Sequence, residues 1–243
     1  MIVLFSDFGV DDIYVGQLKV ALLEHLSPGA VIVDLLHSVP RYQVPAGAHL
    51  LAALQSRFPA GAVFVAVVDP GVGTSRDAVV LRANDKWYVG PDNGLLSVVG
   101  ARAIGCRAWR IVWRPRELSV SFHGRDLFAP VAALIAENRL PADRMREIEA
   151  LNVRLGPEDL SEVIYIDHYG NALTGLRATS VTRTATVAVR GQRLSYARVF
   201  AEVPAGSAFW YENSIGLVEI AANHADAAEL LGIEVGDAVT VSA

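Results

Sequence analysis

The chain has little of several residue types on which common protein classes depend. It contains one cysteine, Cys106, among 243 residues, so no intrachain disulfide can form, as is usual in a reducing compartment. Lysine occurs only at Lys19 and Lys86, and neither lies in a G-x-x-x-x-G-K-[ST] sequence. A disulfide-stabilised scaffold and a P-loop nucleotide site are therefore both excluded.

Attachment to a membrane or a nucleic acid also lacks support. No stretch approaches roughly 18 uninterrupted apolar residues, so no membrane-spanning helix is predicted. The opening segment "MIVLFSDFG" has no basic residue and reaches a carboxylate at Asp7, which argues against a signal peptide. The net charge is −5 without a long basic run, so we expect no nucleic-acid partner. These features predict a cytoplasmic protein.

Sequence motifs of hydrolases and zinc sites are missing as well. There is no Gly-x-Ser-x-Gly nucleophile elbow, and neither His-Glu-x-x-His nor Cys-x-x-Cys occurs. We expect no metal and no cofactor. The scattered histidines that we expect not to be metal ligands are His25, His37, His49, His168 and His224.

The first half of the chain alternates short apolar runs with helical patterns. The runs "MIVLF", "AVIVDLL" and "GAVFVAVV" predict strands, and "IYVGQLKVALLEHL" and "AGAHLLAALQSRF" predict the helices between them. The runs are continuously apolar, which is typical of parallel strands covered on both faces. "AVVLRA" and "KWYVG" predict a hairpin, "AWRIVW" another strand, and "DLFAPVAALIAEN" a helix.

The pattern changes in the polar segment "NVRLGPEDL", residues 152–160. Beyond it, six short apolar runs separated by turn signals predict strands, with one short helix in "HADAAELLG". The predicted fold class is α/β. An N-terminal α/β domain with a mostly parallel sheet would cover residues 1–153, and a smaller all-β, barrel-like domain would cover residues 160–243.

Two aspartates stand where predicted strands end. Asp7 follows the first apolar run and Asp69 the third, and ligands of open parallel sheets bind beyond such ends. Either carboxylate could instead cap a helix. Asp69 fits a cap less well, because Pro70-Gly71-Val72-Gly73 predicts a turn rather than a helix.

A second acidic group lies just before the first helix. Asp7, Asp11 and Asp12 exceed what a helix cap needs, and buried together they would repel one another without a cation. Further on, "SFHGRDLF" places His123, next to Asp126, ahead of an apolar helix. As alternatives, Asp126 could be that helix's N-cap and His123 a surface residue.

Six segments together resemble one family. "SDFGVDDIYVGQLK", "VVDPGVGTSR", "GPDNGLL", "FHGRDLFAP", "IDHYGNALT" and "NSIGLVEIA" are similar, in this order, to the S-adenosyl-L-methionine hydroxide adenosyltransferases, relatives of fluorinases and chlorinases. The resemblance implies an α/β domain, a β-barrel domain, and a homotrimer with the site between subunits. It also implies a metal-independent reaction of S-adenosyl-L-methionine with water or hydroxide that gives adenosine and L-methionine.

The resemblance also implies residue roles. The catalytic set would be Asp69, Arg76 and His123. Asp7 would hold the ribose hydroxyls. The other substrate-binding residues would be Asp12, Asp167 and Ser214 near the methionine portion, Tyr169, Asn171 and the backbone at His224 near the adenosine portion, Asn213 beside Ser214, and Tyr42 against the ligand.

Halogenating relatives lack the Asp–Arg–His set, and a carboxylate at the attacked carbon would repel halide, so the resemblance favours water. Ile215 stands where some halogenating relatives carry arginine, which leaves the partner of the methionine carboxylate unassigned. Two other functions stay open. One is a metal-dependent phosphohydrolase, with Mg²⁺ or Mn²⁺ held by the aspartates, and the other is a non-catalytic module that binds an adenosyl compound.

Overall fold

The computed structural model describes residues Met1–Ser242. The chain divides into two compact units, of which the first holds Met1–Leu51 and Gln55–Pro157 and the second holds Ala52–Leu54 and the chain from Glu158 onward. Ala243, the last residue of the predicted second domain, lies outside the described residues. Among the helices of Met1–Ser242, none combines the length and the apolar character that crossing a bilayer requires.

The first unit is built on a seven-stranded mixed sheet in the order β2-β1-β3-β5-β4-β6-β7. Its elements are β1 Ile2–Ser6, α1 Ile13–Leu23, β2 Ile32–Leu36, α2 Val44–Leu54, β3 Val63–Val67, β4 Ala78–Ala83, β5 Lys86–Pro91, α3 Ser97–Arg102, β6 Cys106–Ile111, α4 Ala129–Ala136 and β7 Met145–Ile148, with the last three residues of α2 grouped with the second unit. The pairs β1–β2, β1–β3 and β3–β5 are parallel, and β5–β4, β4–β6 and β6–β7 are antiparallel. β2, β1, β3, β5 and β6 therefore run one way and β4 and β7 the other, which agrees with the predicted α/β class.

Burial explains the continuous apolar runs. Every residue of β1 and β3 is buried, and Leu18 and Leu22 of α1 pack with them in one core that includes much of α4. β2 departs from the expected pattern because it lies at the sheet edge, where Asp34 is exposed. The predicted β4–β5 hairpin is confirmed. Its turn residues Asn84 and Asp85 have φ of 50° and 57°, as a two-residue type I′ turn requires.

The second unit consists of two antiparallel sheets, in the orders β12-β13-β9-β8 and β11-β10-β14. Its elements are β8 Leu160–Ile166, β9 Ala172–Arg177, β10 Thr186–Val189, β11 Gln192–Leu194, β12 Ala208–Glu212, β13 Leu217–Ala222, α5 Ala227–Leu231 and β14 Val239–Ser242. Trp210 lies in its core, and the indole N–H donates to the Ala185 carbonyl at 3.1 Å.

Two backbone seams join these sheets into a barrel-like ring. Beside a bridge between Glu162 and Ala238, the Val163 amide donates to the Asp237 carbonyl at 2.9 Å. Beside a bridge between Tyr196 and Trp210, the Ala197 amide donates to the Trp210 carbonyl at 3.1 Å. The strand order therefore closes on itself, as the barrel-like expectation requires.

Candidate active site

The ends of β1 and β3 bring two carboxylates to one edge of the first unit's sheet. Ser6 pairs with Val67, so Asp7 and Asp69 follow neighbouring parallel strands. The Tyr42 amide donates to Asp7 Oδ2 at 3.2 Å, from a residue with φ of 64°. Burial raises the pKa of the Asp7 carboxyl, while the Tyr42 N–H works in the opposite direction. Asp7 is thus held in place by its position at the end of β1 and by the hydrogen bond from the Tyr42 amide.

The segment after Asp69 folds back on itself, as its glycines predict. The Val72 amide donates to the Asp69 carbonyl at 3.2 Å, and the Thr74 hydroxyl donates to the Gly71 carbonyl at 2.7 Å. Gly73 has φ of 80°, and a Cβ there would lie 2.5 Å from the Val120 carbonyl oxygen. Only glycine meets both conditions. The tight reversal returns the chain toward Asp69.

Arg76 joins Asp69 and His123 into one cluster. Its Nε donates to Asp69 Oδ1 at 2.9 Å and its Nη2 to Asp69 Oδ2, a bidentate pair whose side chains are 10% and 5% exposed. Arg76 Nη2 also lies 3.1 Å from His123 Nδ1. A guanidinium has no acceptor, so Nδ1 accepts and the neutral ring carries its proton on Nε2.

The surroundings of His123 keep the ring uncharged. Burial lowers the pKa of His123, and the positive charge of Arg76 lowers it further. The ring directly precedes a π-helical turn, Gly124–Phe128, that leads into α4. Such wide turns are common at functional sites.

One alternative from the sequence is wrong. Asp126 does not cap the helix, because its carboxylate accepts from the Ser119 amide at 2.8 Å and pairs with Arg125 at 2.5 Å.

The acidic group before α1 also differs from expectation. Asp11 and Asp12 are exposed, and Asp12 caps α1 by accepting from the Ile13 amide at 2.6 Å. Only Asp7 is partly buried. The predicted repulsion among three buried carboxylates is therefore wrong, because the helix N-terminus lies in solvent.

Two adjoining cavities open beside the cluster, with volumes of about 110 and 410 Å³. Phe8, Tyr14 and Phe122 form an aromatic wall with ring centroids 5.3–5.8 Å apart. Sequence reasoning missed these rings, since Phe122 is far along the chain from Phe8 and Tyr14 and no local pattern brings the three together. The predicted site residues that line the two cavities are Asp7, Asp12, Tyr42, Asp69 and His123, and Arg76 contacts the last two.

The second unit gathers the other predicted site residues around a cavity of about 750 Å³. Asp167 organises one side of it. Its carboxylate accepts from the Tyr169 amide at 2.9 Å and from the Asn171 amide and side chain at 2.9 and 3.0 Å. The predicted residues that line this cavity are Asp167, Tyr169, Asn171, Asn213, Ser214 and His224.

Glu219 is a residue of this cavity that sequence reasoning missed. It is only 5% exposed and accepts from Tyr211 Oη at 2.5 Å and Asn213 Nδ2 at 2.8 Å. Burial raises the pKa of its carboxyl, and nearby Asp167 raises it further. The available signal was a charged residue inside the apolar run "GLVEIA", whose strand β13 is buried throughout.

Two other hydrogen-bonded groups support the first unit's strand ends. Asn93, from "GPDNGLL", donates to the Val68 carbonyl at 2.8 Å, next to Asp69. Below Asp7, the Ser6 hydroxyl lies 2.8 Å from His37 Nδ1, and His37 Nε2 lies 3.1 Å from Asp34. Ser6 and His37 are buried, so this chain is a support and has no access to a ligand.

Comparison with known proteins identifies the family. Residues 2–145 match the SAM hydroxide adenosyltransferase N-terminal domain, and residues 161–240 match the C-terminal domain of the same family. The chain belongs to the SAM hydroxide adenosyltransferase family.

Relatives in this family include hydrolases and fluorinases. A Thermus thermophilus protein named (R)-S-adenosyl-L-methionine hydrolase is 39% identical, with 95% of each chain covered. A Nocardia brasiliensis fluorinase is 27% identical over 99% of this chain and 96% of its own. The crystal structure of an uncharacterized conserved protein from Thermotoga maritima superposes with a TM-score of 0.89 at 32% identity, covering 100% of both chains.

The described side chains of the site do not form a group that suits a metal ion. Within residues 1–242, no three His, Cys, Asp or Glu side chains come together in a way that could hold a metal ion. The Asp69 carboxylate, which a metal would need, already accepts two hydrogen bonds from Arg76.

Proposed function

We propose that this protein hydrolyses S-adenosyl-L-methionine to adenosine and L-methionine by in-line attack of water on the 5′ carbon. The observation that carries the proposal is the Asp69–Arg76–His123 cluster beside a cavity in a chain of this family. The names of the hydrolase relatives, at 39% identity over nearly the whole chain, support the same reaction.

The chemistry asks for a positioned water more than for an acid. A sulfonium leaves as a neutral thioether, so the C5′–S bond breaks without protonation of the leaving group. Water, with a pKa of about 15.7, is a poor nucleophile. Holding it in attack geometry is worth roughly 7–11 kcal/mol, and a general base adds about 10²–10⁴-fold.

The contacts of Arg76 support different roles for His123 and Asp69. His123 accepts from Arg76 at Nδ1, so its Nε2–H is free to donate to the water oxygen. Each Asp69 oxygen keeps a lone pair beyond its bond to Arg76 and can accept the proton that water loses. The new C–O bond forms as the C5′–S electron pair moves to sulfur, and the proton passes through Asp69 to solvent.

The remaining residues would bind the substrate. Asp7 would accept from the ribose hydroxyls, with Tyr42 against the ligand. Asp12, Asp167 and Ser214 would contact the methionine portion. In the second unit's cavity, Tyr169, Asn171 and the His224 backbone would contact the adenosine portion, and Asn213 would hold the Ser214 turn by accepting from the Ile215 and Leu217 amides.

The proposal includes a cytoplasmic homotrimer. In it, the first unit's cavities of one subunit would work together with the second unit's cavity of a neighbour. The predicted site residues form two sets, one around the two adjoining cavities of the first unit and one around the cavity of the second, and this supports the arrangement.

The decisive experiment incubates purified protein with S-adenosyl-L-methionine in chloride-free, EDTA-treated buffer made with ¹⁸O-water. We expect adenosine labelled at its 5′ oxygen, together with L-methionine, by mass spectrometry. Cleavage of a phosphate ester that Mg²⁺ or Mn²⁺ restores after EDTA treatment would favour the metal-dependent phosphohydrolase. Binding without product would favour the non-catalytic module, and product that forms only after halide is added would favour a halogenase.

A further inference from the structure

The proposed substrate carries three charged groups, a sulfonium, an ammonium and an α-carboxylate. The charged side chains that line the cavities suit the two cations better than the anion. The sulfonium and the ammonium are cations, and the carboxylates of Asp7, Asp12 and Asp167 line the cavities without an arginine or lysine ion pair in the described chain, whereas Asp69 is already paired with Arg76. The α-carboxylate is an anion and needs a cationic or N–H donor among these acids. Its partner therefore determines whether an amino acid or a simple amine fits the site.

Few positive side chains line the cavities. Neither lysine nor arginine lines the cavity of the second unit or the smaller cavity of the first, within the part of the chain that the structure describes. The larger cavity of the first unit includes one, Arg41. Asp12, one of the proposed contacts of the methionine portion, lines that same cavity.

Arg41 is held at this place while its guanidinium stays available. The next residue, Tyr42, donates its amide to Asp7, which fixes the backbone at the cavity rim. The Arg41 side chain is exposed, and among residues 1–242 it makes no hydrogen bond or ion pair. Its charge is close enough to oppose the rise in the pKa of Asp7.

We propose that Arg41 binds the α-carboxylate of the substrate and makes the site selective for the amino acid over its decarboxylated form. This inference rests on the proposed function. Asp12 would then bind the ammonium of the substrate's amino-acid group, and the Arg41 guanidinium would bind its α-carboxylate.

The test compares two substrates that differ only at this group, S-adenosyl-L-methionine and decarboxylated S-adenosylmethionine. For the wild type we expect higher kcat/KM with the first. Arg41→Gln should raise KM for S-adenosyl-L-methionine roughly tenfold, the scale of one charge-assisted hydrogen bond reduced by solvent screening. KM for the decarboxylated substrate should change little, and so should kcat for both.

The matched control is Arg116→Gln, an exposed arginine of the same unit that lines none of these three cavities. It should leave both KM values unchanged. Arg41→Lys keeps the charge but loses the bidentate fork, so it should fall between wild type and Arg41→Gln. It also provides the comparison if Arg41→Gln does not fold.

Two results would overturn the inference while leaving the proposed function intact. In one, Arg41→Gln alters KM for both substrates equally. In the other, the preference for the carboxylate survives in Arg41→Gln and disappears in Ser214→Ala. A wild-type protein that turns over neither substrate would instead contradict the proposed function.

Discussion

Asp69 and His123 lie in a cluster whose members should affect turnover more than binding. We expect Asp69→Ala and His123→Ala each to lower kcat by about 10²–10⁴-fold, because each removes a proposed contact to the attacking water. Substrate Kd, measured by calorimetry, should change only a few-fold. Asp85→Asn, in the exposed β4–β5 turn, is the control. An unchanged kcat in both alanine variants would contradict the proposed catalytic roles of Asp69 and His123.

The depressed pKa of His123 predicts a pH dependence with a definite sign. Burial and Arg76 lower this pKa from 6.5, so the ring is neutral at pH 7 and becomes charged only below its ordinary range. Activity should hold from pH 7 down through 6.5 and fall at lower pH. The folded state disfavours the charged ring, so the same group should cost stability as pH falls from 6.5 through the lowered value.

Arg76→Gln tests the cause of that shift. Removing the guanidinium takes away a charge that lowers the pKa and leaves Asp69, which raises it. The His123 titration, followed by NMR of the ring protons, should therefore move to higher pH than in the wild type. A titration that stays in place would mean that burial alone sets the pKa.

Local sequence signals indicated part of this site, and the family resemblance supplied the other predicted residues. A carboxylate at the end of an apolar run and a glycine-rich turn are short-range patterns, and they placed Asp7, Asp69 and the reversal after it. The contact between Arg76 and His123 spans 47 positions and has no local signal. Arg41 was missed for a similar reason, since an exposed arginine in a loop is ordinary until a cavity is seen beside it.

At the level of elements, the turn after β3 should be intolerant of a side chain at Gly73. A Cβ there meets the Val120 carbonyl oxygen at 2.5 Å and also demands a left-handed φ of 80°. Gly73→Ala should cost about 1–3 kcal/mol of unfolding free energy in urea, and it should lower kcat by displacing the loop that carries Arg76.

Gly61→Ala separates the two effects at Gly73. Gly61 has a nearly identical φ of 79° but nothing within 4 Å of the added Cβ. It should show only the backbone cost and keep full kcat. Equal losses in the two variants would mean that the contact with Val120 is unimportant.

The hydrogen-bonded chain from buried Ser6 and His37 to exposed Asp34 should contribute to stability, because it satisfies the two buried polar side chains. His37→Leu leaves the Ser6 hydroxyl with only the Phe8 amide, at 3.4 Å, and we expect a loss of about 1–3 kcal/mol in urea denaturation. Adding Ser6→Ala removes the stranded hydroxyl. The double variant should therefore be less destabilised than the sum of the two single variants. Simple additivity would contradict the coupling.

The elements missed from the sequence share physical reasons. β7 has four residues, "MREI", and its two middle residues are exposed at the sheet edge, so no apolar run marks it. β9 contains Gly175, where a Cβ would lie 2.5 Å from the Leu160 carbonyl oxygen, and that glycine weakens the strand pattern. α3 has six residues, too few to show a period. The longer buried elements are predictable because burial requires a run or period of apolar residues, which short edge elements lack.

At the scale of the whole molecule, the proposal that subunits share a site predicts complementation. Asp69→Asn damages the first unit's cavity and Asn171→Ala the second unit's cavity. Co-refolding the two inactive proteins should restore about one quarter of wild-type activity per site, if subunits mix at random in a closed ring. Light scattering should show a trimer. Activity that stays at the level of either single variant would place the whole site within one subunit.

The closed ring of the second unit limits how this half of the protein can meet other proteins. Its two seams use backbone amides and carbonyls that an open sheet would leave at its margins. Fewer peptide groups at these margins are therefore left for another chain to extend, so recognition here should depend more on side chains. Such recognition can diverge by point substitution without disturbing the scaffold.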